Sequence, residues 1–282
     1  MAQAFRMAGP ARKKPRRLRQ IGKYWAIFRM SLASSIAYIS EIAFRAVVVV
    51  ALMVIFVQLW ETTYSAQPGG RLGAFTLRDI IWYLALVETL ATSVSPLNRR
   101  VDGEVRSGDL AYLLGRPCSY VFYQYAYYLG DRVVRLAISG VIACMVALVF
   151  VGPPPLSFWG LLAGPLVIFL SISIDFSALF AIGLLAFWTE ETESFALIYS
   201  RLVLVLGGVL VPLELFPEPL GSIARALPFA ALLYGPARTI IKFDLGQFVG
   251  LLAQQGLTLA ALGLLVAAVY RLAVRRVNIN GG

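Results

Sequence analysis

Glu88, Asp175 and Arg201 stand well inside long apolar runs, and they are the residues best placed to do chemistry away from water. A carboxyl group in such a setting can hold or pass a proton; a guanidinium can pair with it or with an anionic ligand. Little else supports acid–base work. The sequence has no histidine, the commonest general base and metal ligand. Cys118 and Cys144 lie far from any C-x-x-C spacing and read as small apolar fillers. The two buried carboxylates are not clustered as a metal site or an acid–base pair requires. Three readings of the trio stay open: residues lining a water-filled path between helices, a latch that opens when the helices move, or inter-helical hydrogen bonding. Arg201, about 9 Å from the inner end of its run at helical rise, can also snorkel. Pairs between Glu88 and Arg201, or Asp175 and Arg201, are both compatible with the sequence.

The runs that must position these residues set the class. Of 282 residues, 59% are hydrophobic and 14% charged, against about a quarter charged in a soluble protein. An apolar helix of about 20 residues crosses the bilayer core. Six such spans are expected, at about 42–60, 79–97, 133–151, 166–188, 195–215 and 248–270. The fourth run, Phe158–Trp188, is long for one crossing and short for two, so its crossing is placed near Leu166–Trp188 with a start loosened by Gly164–Pro165. Trp60, Trp82, Trp159 and Trp188 fall at proposed span ends, where amphipathic rings favour the headgroup region. The fold class is all-α, a polytopic membrane protein.

The net charge of +10 points to lipid and topology rather than nucleic acid, because of where it sits. Six of the eight residues in "RKKPRRLR" (Arg12–Arg19) are basic and precede the first span. With six spans both termini are cytoplasmic. With Arg45 and Arg135 at the inner ends of their spans counted as inside, all Lys and Arg lie inside except Arg71, Arg78, Arg225, Arg238, Lys242 and the intramembrane Arg201, as the positive-inside rule expects. Residues 1–41 read as a basic tail plus an interfacial helix. Its apolar face repeats at Ile21, Trp25, Phe28, Leu32, Ile36 and Ile39. Residues 271–282 form a cytosolic tail.

One segment breaks the pattern. Residues 98–117, "NRRVDGEVRSGDLAYLLGRP", lie in the cytosol between spans two and three and carry seven charged residues of mixed sign. Val101 and Val105 share one helical face; Leu110, Leu113 and Leu114 share another. Gly108 can close the first short helix in a left-handed cap and Asp109 can cap the next. Mixed charge beside an apolar stripe suits a protein docking surface.

"EVRSGDLAYLLGRP" resembles the cytosolic segment of permease subunits in the type-2 ATP-binding-cassette (ABC) exporter family. Also similar are the interfacial first helix and the "LPF…YGP" pattern within the Pro-rich outer run, "FPEPLGSIARALPFAALLYGPARTI" (Phe216–Ile240). The resemblance implies a coupling helix at about Val101–Leu114 that inserts into a separate ATPase. Leu110, Leu113 and Leu114 are then the anchors, Glu104, Arg106 and Asp109 the rim, and Val101 belongs to the same ATPase-coupling set. It also implies short re-entrant or surface helices at residues 216–245, serving as a lid over the exit path. No G-x-x-x-x-G-K-[ST] loop is present, so ATP and Mg are expected on partner ATPase subunits, with no cofactor held by this chain. Six spans form half of such a pathway, which implies a second permease, self or sister, in the cell membrane. Five tyrosines in Tyr120–Asp131 read as an aromatic belt, and "EETE" (Glu190–Glu193) as a turn that could also touch the ATPase. An intramembrane lipid-modifying enzyme and an ion-coupled carrier are the alternatives. The substrate is left open.

Overall fold

The computed structural model describes residues 16–37, 39–66, 71–72 and 75–280. The start of the basic stretch, residues 12–15, and the end of the expected cytosolic tail, residues 281–282, lie outside the described residues. Helices α1 (Arg16–Ile36) and α2 (Ile39–Ser65) come first. A two-residue antiparallel pairing of Arg71–Leu72 with Phe75–Thr76 leads into α3 (Leu77–Thr92). Then follow α4 (Leu97–Arg106), α5 (Asp109–Leu114), α6 (Tyr120–Val151), α7 (Phe158–Leu184) and α8 (Glu193–Leu206). After them come the short α9 (Leu220–Ala226) and α10 (Tyr234–Ile241) and the long α11 (Leu245–Asn280). Among the described residues, five stretches are long and apolar enough to cross a bilayer: Ala46–Ser65, Leu77–Arg106, Tyr120–Val151, Phe158–Phe187 and Leu245–Arg275. A helix satisfies every backbone group within its own segment, which hydrocarbon demands.

Local sequence fixes where these helices start and stop. Thr76 and Asp79 form a reciprocal capping box at the start of α3. Ser157 caps α7 through the Gly160 amide at 2.9 Å. Gly152, with φ of 75°, stops α6 ahead of three prolines. The two helices expected around Ser107–Gly108 are α4 and α5. Gly108 takes the left-handed conformation at φ of 79°, whereas Asp109 is the first residue of α5 rather than its cap and accepts a hydrogen bond from the Ser107 hydroxyl at 2.8 Å.

Both ends of the bundle are defined by contacts. At one, Arg78 donates to the Pro153 carbonyl at 2.6 Å and Trp82 to the Gly152 carbonyl at 3.0 Å, while Lys242 sits over the Phe75 ring. At the other, α4 lies against the end of α7, and Tyr120 stacks on Tyr270 of α11. Among the described residues, the two largest of four apolar clusters lie one toward each end. The first holds Met53, Ile80, Tyr83, Ala143 and Ile174; the second holds Val101, Leu110, Tyr128, Phe176 and Phe180.

Several boundaries differ from the sequence expectation. α3 stops at Thr92, because Pro96 disfavours helix before it. α6 begins at Tyr120, thirteen residues ahead of Val133, since the tyrosines turn inward and find partners: Tyr120 on Glu104, Tyr125 with Ser173, Tyr128 on Asp175. α7 runs unbroken through Pro165, which removes a single helical hydrogen bond. α8 ends at Leu206, about 21 Å from its start at helical rise. Gly207 and Gly208 turn the chain there, and Pro212 opens a 3₁₀ turn.

The face expected on α1 divides. Phe28 and Leu32 are half-buried, Ser31 is fully buried, and Ile21, Trp25 and Ile36 remain exposed. The helix docks on α6 at Gly130, where a Cβ would lie 2.5 Å from the Phe28 carbonyl oxygen.

Candidate functional site

α4 is clamped on two sides by its own charges. Val101 is fully buried, and a Cβ on Gly183 of α7 would lie 2.7 Å from the Val101 Cβ, so only glycine admits the helix this closely. Arg100 bridges to Glu104 one turn on, donates to the Tyr123 hydroxyl at 3.1 Å and lies over the Tyr127 ring at 3.3 Å from its centroid. Glu104 accepts from the Tyr120 hydroxyl at 2.6 Å and from the Gln124 amide. These contacts tie α4 to α6.

The other side grips the turn between α7 and α8. Arg106 pairs with Asp102 and donates to the Glu190 carbonyl, and Thr192 donates to Asp102 at 3.1 Å. Arg99 makes a two-pronged contact with Glu193. The hydrogen bond from Arg99 holds the Glu193 carboxyl below its usual range. Of the acidic run, Glu193 therefore serves as an internal fastener.

What the segment presents outward is α5 and its flanks. Asp109, Tyr112 and Arg116 are exposed, with the Arg116 guanidinium over the Tyr112 ring. Leu110 is buried in the bundle and Leu113 and Leu114 pack half-buried against the same cluster. Val101, Glu104, Arg106 and Leu110 thus hold the segment to its own bundle. Tyr112, which periodicity could not single out, is its most exposed large hydrophobic side chain at 70%.

Deeper in the bundle, Asp175 of α7 is the hub of a buried network. It accepts from Arg132 at 3.0 Å and from the hydroxyls of Tyr128 and Tyr199, each at 2.8 Å. Arg132 also donates to the Leu90 carbonyl at 2.9 Å. α6, α7 and α8 therefore meet on one carboxylate, and α3 joins them through Arg132. A neighbouring pair, Arg135 and Asp131 at 2.8 Å, receives the Ser35 hydroxyl from α1 at 2.6 Å. The partner of Asp175 is Arg132, a residue that the expected span boundary at Val133 leaves in the cytosol. The signal available was the acid itself: a carboxylate at bilayer depth requires a base at the same depth.

A cavity of about 540 Å³ opens between α3–α4, α6, α7 and α8. It extends from Arg99 and Glu193 at the α4 end, past Arg132, Asp175 and Arg201, to Val209, Leu232 and Leu233. Asp175 and Arg201 both line it; Glu88, buried on α3, does not. The carboxylate in the cavity wall is already tied to a cation and two hydroxyls.

Residues 47–281 match the family described as ABC-2 family transporter protein. The chain belongs to that family. No curated protein matches it. As an ABC-2 transporter, the chain is a membrane permease component without the ATPase domain, a multi-pass protein that works in the context of an ATPase partner. The matched region of the ABC-2 chain takes in α3–α11, with the clamped α4, the Asp175 hub and the cavity, and leaves out α1.

Proposed function

We propose that this ABC-2 permease is an exporter subunit, paired with a second permease, self or sister, in the cell membrane and driven by separate ATPase subunits that bind ATP and Mg. The observation that carries the reading is the clamped segment α4–α5. A lever must be stiff and must be joined to what it moves. α4 is joined to α6 by Arg100 and Glu104, to α7 at Gly183, and to the start of α8 by Arg99. Force applied at the exposed Asp109–Tyr112–Arg116 tip is thereby delivered to three helices that line the cavity.

On this reading both termini are cytoplasmic and the chain crosses six times, the fifth by α8 together with Gly207–Leu215. Support comes from the two ends of α8: it starts on Arg99, and just past its end the Gly208 carbonyl accepts from the Tyr83 hydroxyl, most of the bundle's length away. α9 and α10 then lie on the outer side, where α10 packs over α7 at Gly160 and Gly164. ATP binding favours one arrangement of the bundle only through its different affinity for the two.

Co-purification tests the partner. The wild-type chain is expected to bring down an ATP-binding-cassette ATPase, and Asp109→Ala/Tyr112→Ala to recover about tenfold less at equal membrane insertion. Equal recovery from both would contradict the assignment.

A further inference from the structure

We infer that the cavity between α3, α6, α7 and α8 takes an amphiphile with a single anionic headgroup, held by Arg201, its tail lying against Leu204, Val209 and Leu233; the inference rests on the permease reading and adds the substrate class to it. Four arginines line this cavity. Arg99 is paired with Glu193, Arg132 with Asp175 and Arg135 with Asp131. Among the described residues, no carboxylate pairs with Arg201.

Depth makes that exception informative. Arg201 lies eight residues past Glu193 on α8, and Asp175 lies eight residues before Gly183 on α7, so both are about 12 Å from the level of α4. A cation there, exposed toward the cavity, lacks water on the apolar side and draws an anion strongly. The guanidinium offers a planar fork of donors that fits a phosphate, sulfate or carboxylate. Beyond it toward the outer side the wall turns apolar, with Leu204, Val209, Leu232 and Leu233. A free inorganic anion would leave this apolar half unfilled. A zwitterionic headgroup would set its own cation among arginines. A volume of about 540 Å³ accommodates a headgroup and part of a chain.

The test uses the full chain with its co-purified ATPase in phosphatidylcholine nanodiscs. The probes are phosphatidylglycerol and phosphatidylcholine carrying the same photoactivatable acyl chain, with adducts mapped by mass spectrometry. Phosphatidylglycerol is expected to label α8 and the Val209–Leu233 wall about tenfold more than phosphatidylcholine, the effect of one charge-assisted contact. Arg201→Gln should abolish that preference and Arg201→Lys should retain most of it. Octyl phosphate should compete, and inorganic phosphate should not. Equal labelling by the two lipids overturns the inference, as does a preference that survives Arg201→Gln, or competition by inorganic phosphate as effective as that by octyl phosphate. The ATPase recovered in the same preparations reads the broader assignment separately. Its presence without a lipid preference refutes this site alone, and its absence with the preference intact refutes the permease reading and leaves an anionic-lipid site without the substrate role.

Discussion

Val101 of α4 and Gly183 of α7 lie in direct apposition: a Cβ on Gly183 would come within 2.7 Å of the Val101 Cβ. The α4–α5 segment is thus fastened to the bundle by the absence of a side chain as much as by its ion pairs. Gly183→Leu is expected to push α4 off α7 while leaving the exposed α5 tip intact. In proteoliposomes with the ATPase, nucleotide hydrolysis should continue while transport falls at least about tenfold. Transport at the wild-type rate would show that this contact does not transmit motion. Val101→Ala should be milder, costing about 1–2 kcal/mol in thermal unfolding as a small core truncation.

Arg132 and Asp175 form the buried pair on which four helices converge, with both side chains at least nine-tenths covered. Removing one partner strands a charge, so Arg132→Met and Asp175→Leu should each destabilise the chain by about 3–5 kcal/mol. The double variant should recover much of that loss. A double-mutant cycle on melting in detergent reads the coupling. Additive losses would deny that the two act as a unit.

The Arg99–Glu193 contact makes a pH prediction with a definite sign. The Glu193 carboxyl is held below its usual range by the Arg99 hydrogen bond, so the pin contributes above that range and is lost as pH falls through the lowered value. Both side chains are substantially exposed, which keeps the effect small and salt-sensitive. Spin labels at Gly103 and Glu191, both exposed positions, should give a narrow distance distribution at neutral pH that broadens only once the pH falls below the ordinary carboxylate range. Glu193→Gln should broaden it at every pH. Broadening near pH 6 in the wild type would contradict the assignment.

Reading the fold from sequence works where apolar runs are long and their stops are chemical. Gly152 with its three prolines, Ser107–Gly108 and the prolines after Leu215 all mark real breaks. It works less well where polar side chains are buried in pairs. The tyrosine-rich Tyr120–Asp131 reads as a belt at a membrane surface, yet Tyr120 and Tyr128 are buried and their hydroxyls are bonded to Glu104 and Asp175. Starting the third span at Val133 hid Arg132, the base that Asp175 needs. Periodicity also found the apolar faces of α4 and α5 without telling which way they point. Val101 and Leu110 face the bundle, because Gly183 and the second apolar cluster receive them. Arg201 stood out in the sequence as a cation at depth, and what sequence could not supply was the cavity beside it.

Position 112 offers the most direct measurement. With a photoreactive benzoylphenylalanine in place of Tyr112, illumination of intact membranes is expected to yield a covalent adduct between this chain and an ATP-binding-cassette ATPase. Capture of position 112 by a reagent confined to the outer compartment, or ATPase-free transport by the purified chain with no such adduct, would contradict the claim that the bundle is driven from its cytosolic side by a separate subunit.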